Sequence, residues 1–211
     1  MNILVYGDSN AWAQEPSLNT YTKDAQLSQY PQEKTWWNVL TNEHNVYVNG
    51  LCGRAISQKN PYIENSKALD TIYNDFQSLP KMDLIILQLG TNDMKSKYNM
   101  SASEISLSLE ALVDTIRNII SCENIMIISP PYIRSGTPTT DKHYIGANYK
   151  SVEVDKYYKQ LAQTKKLIFV SGLQAQTGID GEHLSIQGHQ YLARRVKSKV
   201  DELISTDQPN Q

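Results

Sequence analysis

Five short apolar runs, rich in branched residues, punctuate the chain at 3–6, 46–48, 84–89, 125–128 and 167–170. Each has the length of a strand, and the third and fourth are continuously apolar, the pattern of strands covered on both faces in a parallel sheet. Helices must then lie between them. The clearest opens at Ser101, where Ser101 and Glu104 have capping-box spacing and Ile105, Leu109, Leu112, Val113, Ile116 and Ile120 share one stripe. Another opens at Ser185, with Leu192, Ala193, Val196, Val200 and Leu203 on one period and Arg194, Arg195, Lys197 and Lys199 elsewhere on the wheel. Weaker helical patterns cover 35–41, 66–79 and 152–164. Strands alternating with helices predict an α/β fold, a three-layer α/β/α sandwich around five parallel strands.

Two stretches, 11–34 and 130–148, are rich in Tyr, Pro, Thr and Asn and read as loops. Loops this long are usually functional or disordered. With Trp12, Tyr21, Tyr30, Tyr132, Tyr144 and Tyr149 in or beside them, they could form a substrate wall or lid. Surface loops anchored by their aromatics are an equally good reading. The chain shows no internal repeat or linker, so residues 1–204 are expected to form one domain and 205–211 a frayed tail.

Composition agrees with that size: 211 residues, 40% hydrophobic, can bury one sizeable core. The formal net charge is -2, from 20 basic and 22 acidic residues. No positive excess is available to neutralise a nucleic-acid backbone or dock on an anionic bilayer, so neither is expected as a partner. No apolar run approaches the roughly 20 residues of a membrane span, and the amino end lacks the charged and apolar segments of a leader. The expected location is cytoplasmic, with Cys52 and Cys122 as reduced thiols.

In an open parallel sheet, ligands bind outside the carboxyl ends of the strands. Polar motifs follow four of the five runs: Gly7-Asp8-Ser9-Asn10, Asn49-Gly50, Gly90-Thr91-Asn92-Asp93, and Asp180 with His183. A serine hydroxyl becomes a nucleophile when a neutral imidazole takes its proton and a carboxylate fixes the imidazole's tautomer. Ser9, His183 and Asp180 suit those tasks. The backbone N–H groups of Ser9 and Gly50 and the side-chain amide of Asn92 suit stabilisation of an oxyanion. Asp8 and Asn10 beside the serine, with Trp12 and Tyr132 in the two loops, are the candidate substrate contacts. Singly, each has a plainer reading: Ser9, Asp8 or Asn10 as a helix cap, Gly50 and Gly90 as turn glycines, Asn92-Asp93 as an Asx turn. His44, His143 and His189 read as structural or solvated. The four motifs together favour the chemical reading.

With those motifs in order, and Leu184-Ser185 after His183, the chain resembles the GDSL-type, or SGNH, hydrolases. The resemblance implies a flavodoxin-like sheet of order 2-1-3-4-5, Ser9 as nucleophile, and a triad completed by Asp180 and His183. It also implies an oxyanion hole of Ser9, Gly50 and Asn92. Asn49-Gly50-Leu51-Cys52-Gly53-Arg54 and Leu89-Gly90-Thr91-Asn92-Asp93-Met94-Lys95 are similar to the bacterial arylesterase and acyltransferase branch, whose members act on small acyl esters and in some cases form homo-oligomers. The chain departs from that pattern at Asn10, where the family name implies Leu, and at Cys52 and Ala55-Ile56, where Asn and Thr-Thr are commoner. Those differences bear on acyl specificity.

The expectation is a serine esterase of small acyl esters, short-chain or aryl, working through an acyl-enzyme. Water as acceptor makes it a hydrolase, an alcohol a transferase. A carbohydrate O-acetyl esterase would use the same groups. A non-catalytic flavodoxin-like domain, with residues 7–10 as an anion-binding helix start, would leave Asp180 and His183 unexplained. No G-x-S-x-G, G-x-G-x-x-G, Walker or H-E-x-x-H sequence occurs, so no α/β-hydrolase elbow, cofactor or metal is expected.

Overall fold

The computed structural model describes residues 1–18, 26–120 and 122–206. Five strands, β1 (Asn2–Gly7), β2 (Asn45–Gly50), β3 (Leu84–Gln88), β4 (Asn124–Ile128) and β5 (Ile168–Val170), form one sheet in the order β2-β1-β3-β4-β5 with every pair parallel. Among the described residues six α-helices accompany them: α1 (Ser9–Trp12), α2 (Ala68–Phe76), α3 (Ala102–Ile119), α4 (Pro138–His143), α5 (Ala147–Lys165) and α6 (Ile186–Thr206).

Side chains of successive strand residues point to opposite faces, and the inner strands therefore feed two cores. Leu4, Tyr6, Ile85, Leu87, Ile125 and Ile127 pack against Ile72 and Phe76 of α2, the apolar stripe of α3, and Val154, Tyr158 and Leu161 of α5. Ile3, Val5, Leu84, Ile86, Met126, Ile128 and Val170 pack against Trp36, Trp37, Leu40 and the α6 stripe Leu192, Val196 and Val200. The result is the expected three-layer α/β sandwich. Truncating a fully buried member such as Leu112 to alanine costs about 2 to 5 kcal/mol.

The register levels the carboxyl ends of the strands: Gly7 stands beside Gly50 and Gln88, Gln88 beside Ile128, and Ile128 beside Val170. Because β1 lies between β2 and β3, the chain leaves it towards one edge and later returns to its other side. That reversal is where a ligand crevice opens in such sheets. Asp8 and Ser9 stand at its floor.

The helix starts follow the expected caps. Ser101 Oγ accepts from the Glu104 N–H at 3.3 Å while Glu104 Oε2 accepts from the Ser101 N–H at 2.8 Å. Ser185 Oγ accepts from the Gly188 N–H at 3.1 Å. Other expectations need correction. Residues 35–41 form no α-helix but a 3-10 turn, Trp36–Leu40, whose two indole N–H groups bond Gln88 Oε1 and the Ala11 carbonyl. The 66–79 pattern yields a helix only from Ala68, because Ala55 pairs with the extended chain at Lys67.

The 130–148 stretch is not all loop. Thr137 and Thr140 cap each other around Pro138 to start α4, and α5 begins at Ala147. In 11–34, the first two residues complete α1, Gln14 bridges Gln29, and Gln32–Lys34 is a 3-10 turn. Helix α6 runs through Ser205 and Thr206, two residues into the tail expected to fray. Tyr21 and residues 207–211 lie outside the described residues. Among the described residues no helix is long and apolar enough to cross a membrane.

Candidate active site

Helix α1 is a single turn. Asp8 caps it by accepting from the Asn10 N–H at 2.9 Å, and Ala13 ends it in the left-handed region at φ 67°. Ser9 is thus the first helical residue, where backbone N–H groups have no partner within the helix. At the other end of the chain, residues 177–184 make a tight loop: Thr177 bridges Leu184, and the Gly178 N–H donates to the His183 carbonyl at 2.8 Å. Asp180 Oδ1 accepts from the backbone N–H groups of Glu182 at 3.1 Å and His183 at 3.0 Å. Its Oδ2 accepts from the Ser17 N–H at 3.0 Å.

The loop delivers His183 to Ser9. His183 Nε2 lies 2.9 Å from Ser9 Oγ, and His183 Nδ1 lies 2.8 Å from Asp180 Oδ2. A carboxylate on Nδ1 selects the tautomer with its proton there, which leaves Nε2 as the acceptor facing the serine. All three residues are buried. Burial by itself disfavours the imidazolium, but the carboxylates of Glu182, Asp180 and Asp8 outweigh it and raise the His183 pKa above its ordinary 6.5. Burial likewise works to raise the Asp180 pKa. The hydrogen bond and charge of His183, with the two backbone donors, reverse that and hold it below the ordinary carboxylate value. Asp180 stays ionised.

The three candidate oxyanion donors follow three separate strands, and Ser9 and Asn92, though not Gly50, line one cavity. The Leu51 N–H donates to the Gly7 carbonyl at 3.1 Å, and alternate N–H groups of a strand face opposite ways, so that of Gly50 points away from β1. Gly50 lacks a side chain for a reason other than substrate access. A Cβ there would lie 2.4 Å from the Trp12 backbone nitrogen, so the glycine lets α1 sit on β2. Asn92 opens a 3-10 turn after β3, donates Nδ2 to the Arg54 carbonyl at 3.0 Å and accepts on Oδ1 from Lys95 Nζ at 2.6 Å.

Ser9, Asn92 and His183 line one cavity of about 210 Å³, with Gln14, Leu27, Cys52, Gly53, Asn60, Tyr62, Ile63 and Lys95. None of the four candidate substrate contacts lines it. Asp8 is fully buried beneath the serine, its pKa pushed up to about 6 by burial. Asn10 faces the His183 loop, accepting from the Leu184 N–H at 2.9 Å and donating to the Glu182 carbonyl at 3.4 Å. Trp12 abuts Gly50 through its backbone. Tyr132 stands with Arg134 and residues 173–179 in a separate groove of about 680 Å³. Cys52 reaches the cavity, but burial raises its thiol pKa to about 12, which keeps it protonated and weakly nucleophilic.

Two residues that the sequence reading gave no task hold this end of the sheet together. The guanidinium of Arg54 donates to the carbonyls of Gly7 at 3.0 Å and Asn49 at 2.7 Å, and to Asn49 Oδ1 at 2.9 Å. It also lies 4.2 Å from the Tyr6 ring centroid. Asp93, fully buried, accepts from the Ile56 N–H with both carboxylate oxygens, which anchors the segment after Arg54. An Arg four residues after the strand-end glycine Gly50 and a carboxylate directly after Asn92 were the available signals. His189 accepts from the Trp36 N–H on Nδ1 at 3.3 Å, a structural contact in the second core.

Asp180, Glu182 and His183 are the one trio among the described residues whose ligand atoms lie close enough to share a metal ion, within 4.8 Å of one another. Both imidazole nitrogens of His183 already face partners, so a metal on either would displace Ser9 or Asp180.

Comparison with known proteins identifies the family and the fold. The model of the GDSL-like lipase/acylhydrolase family matches residues 5–191. A carbohydrate acetylesterase from Sinorhizobium meliloti, Est24, is 25% identical, superposes with a TM-score of 0.85, and the match covers 96% of this chain and 99% of that one. The aryl esterase of M. smegmatis is 22% identical with a TM-score of 0.83 and the same coverage, and shows the same fold. No curated protein matches the sequence. A purely ligand-binding role does not fit that assignment. The chain belongs to the GDSL-like lipase/acylhydrolase family and is a hydrolase of ester bonds.

Proposed function

We propose that the chain cleaves small acyl esters through an acyl-enzyme on Ser9. The observation that carries this reading is the continuous hydrogen-bonded run Ser9–His183–Asp180 at the wall of a small cavity that Asn92 also lines. Ser9 Oγ attacks the ester carbonyl carbon as its proton passes to His183 Nε2, and the carbonyl electron pair moves onto the oxygen. The N–H groups of Ser9 and Gly50 and the second N–H of Asn92 stabilise that oxyanion. Collapse expels the alcohol, which takes the proton from Nε2. Water then gives a proton to Nε2, attacks the acyl carbon, and collapse returns the proton to Ser9 Oγ as the Oγ–C bond breaks. An alcohol in the place of water makes the step a transfer.

A cavity of about 210 Å³ falls below the roughly 300 Å³ at which pockets for drug-sized ligands begin, which favours a short acyl group. Activity on aryl esters of increasing acyl length tests this: rates highest at acetyl or propionyl, falling with length, and lost in Ser9→Ala. Rates rising through octanoyl would contradict the short-acyl assignment.

A second reading, a carbohydrate O-acetyl ester as substrate, is favoured by Gln14, Asn60 and Lys95 on the cavity wall, which can hydrogen-bond sugar hydroxyls. It also fits the carbohydrate acetylesterase among the similar structures. The ratio of kcat/KM for an acetylated xyloside to that for phenyl acetate separates the two.

A further inference from the structure

Both ends of the Asn92 amide are tied. Lys95 Nζ lies 2.6 Å from Asn92 Oδ1, and Asn92 Nδ2 donates to the Arg54 carbonyl at 3.0 Å. An ammonium group has donors and no acceptor, and a carbonyl oxygen only accepts. The two contacts therefore demand the same orientation of the amide, oxygen to Lys95 and nitrogen to Arg54. A flip would set NH2 against an ammonium and oxygen against oxygen. In the observed orientation Nδ2 carries a second N–H beyond the one given to Arg54, on a residue that lines the cavity with Ser9 and His183.

Lys95 is 6% exposed, unusual for a lysine, and its backbone N–H also donates to the Asn92 carbonyl at 3.2 Å, closing the turn that presents both side chains. Burying an ammonium is costly unless it is held by fixed partners. Burial, with the neighbouring charge of Lys97, lowers its pKa below the ordinary value, and the carboxylates of Glu182, Asp8 and Asp93 oppose that shift. The sequence puts a long cationic side chain three residues after Asn92, where a 3-10 turn stacks i and i+3 on one side.

We propose that Lys95 is a positioning residue: it fixes and polarises the Asn92 amide so that a side-chain N–H faces the developing oxyanion. A charged donor on the amide oxygen draws electron density from the nitrogen and strengthens its N–H as a donor. The benefit arises when the carbonyl oxygen becomes negative, so it falls on kcat and leaves ground-state binding nearly unchanged. This rests on the reading of Asn92 as an oxyanion donor.

The test is a double-mutant cycle on phenyl acetate hydrolysis with Lys95→Met, Asn92→Ala and the double variant. Methionine keeps the unbranched shape and removes both charge and donor. Asn92→Ala is expected to lower kcat by about a hundredfold to a thousandfold, as loss of a side-chain oxyanion donor does. Lys95→Met is expected to lower kcat by about tenfold or more with KM within about twofold, and to add less than about twofold in the Asn92→Ala background. If Asn92→Ala keeps full activity, the oxyanion reading itself fails. If Asn92→Ala is impaired but Lys95→Met keeps its kcat, or if the two losses multiply, the role of Lys95 is overturned while the oxyanion reading stands. Should Lys95→Met not fold, Lys95→Gln takes its place, and losses that multiply with those of Asn92→Ala overturn the proposal equally.

Discussion

Asn10 Oδ1 accepts a hydrogen bond of 2.9 Å from the Leu184 N–H, across 174 residues of sequence. With the bond from Asn10 Nδ2 to the Glu182 carbonyl, it clips the helix that carries Ser9 to both sides of His183. A residue one step beyond the serine thus fixes the serine's distance from its base, and α1, a single turn, has little rigidity of its own.

Asn10→Ala leaves a buried backbone N–H without its acceptor, which costs about 1 to 3 kcal/mol. Thermal unfolding is expected to shift down accordingly. The same variant should lose kcat on phenyl acetate, since Ser9 and His183 are no longer held in register, and unchanged kcat beside a lowered Tm would show the clip to be structural alone.

The pH dependence follows from His183. Only the neutral imidazole accepts the serine proton, so kcat/KM must rise with pH through the His183 pKa of the free enzyme. Because neighbouring carboxylates raise that pKa, the midpoint is expected above 6.5. Asp180→Asn removes one of those carboxylates and the tautomer lock together. Its profile is expected to shift to lower pH, with kcat reduced about ten-thousandfold, the effect of that change in the serine-protease example. Titration of kcat/KM in both proteins checks it.

Gly50→Ala places a methyl group 2.4 Å from the Trp12 backbone nitrogen, where backbone and not a flexible side-chain tip must yield. Overpacking of this kind costs about 1 to 3 kcal/mol, and the displaced helix is the one that carries Ser9. Denaturant unfolding and kcat should fall together.

Buried His189 gives the fold an acid-sensitive element. Burial lowers its pKa to about 4, against 6.5 when unfolded. Between those values the unfolded chain binds the proton and the folded one does not, so stability falls as pH falls through that window, by about 3 kcal/mol in all. Asp8 and Asp93 act the other way. Their pKa values are raised from 3.8 to about 6 by burial, so the folded chain binds those protons first and each contributes stability that is lost as pH rises between the two values. The isolating measurement is the difference in unfolding free energy between wild type and His189→Gln at pH 7 and pH 4.5. The deficit of wild type is expected to grow on acidification, and a difference independent of pH would contradict it.

The sheet was legible because β1, β3 and β4 are continuous apolar runs, and α3 and α6 because stripe and cap coincide at Ser101 and Ser185. What escaped had no apolar signature. Helix α4 is polar, and its capping box uses Thr140 where the usual pattern has Glu or Gln. Helix α5 was expected over 152–164, but its first turn escaped because it buries Ala147 and Ser151, small residues that a search for bulky apolar positions passes over. At the site, the motifs told which residues would meet at the strand ends but not which way each would face. Asn10 and Asp8 adjoin Ser9 in sequence yet point into the protein, whereas Asn60 and Ile63, in a segment without any motif, reach the cavity. Side-chain direction there is set by long-range partners such as Leu184 that no local pattern encodes.

The account depends most on Ser9 being the group that attacks the ester. Treatment with an organophosphate, followed by intact mass and peptide mapping, tests that directly. The account predicts one phosphoryl group per chain, on Ser9, appearing in step with loss of phenyl acetate hydrolysis and absent from Ser9→Ala. Modification at another residue in step with inactivation, or wild-type turnover by Ser9→Ala, would contradict it.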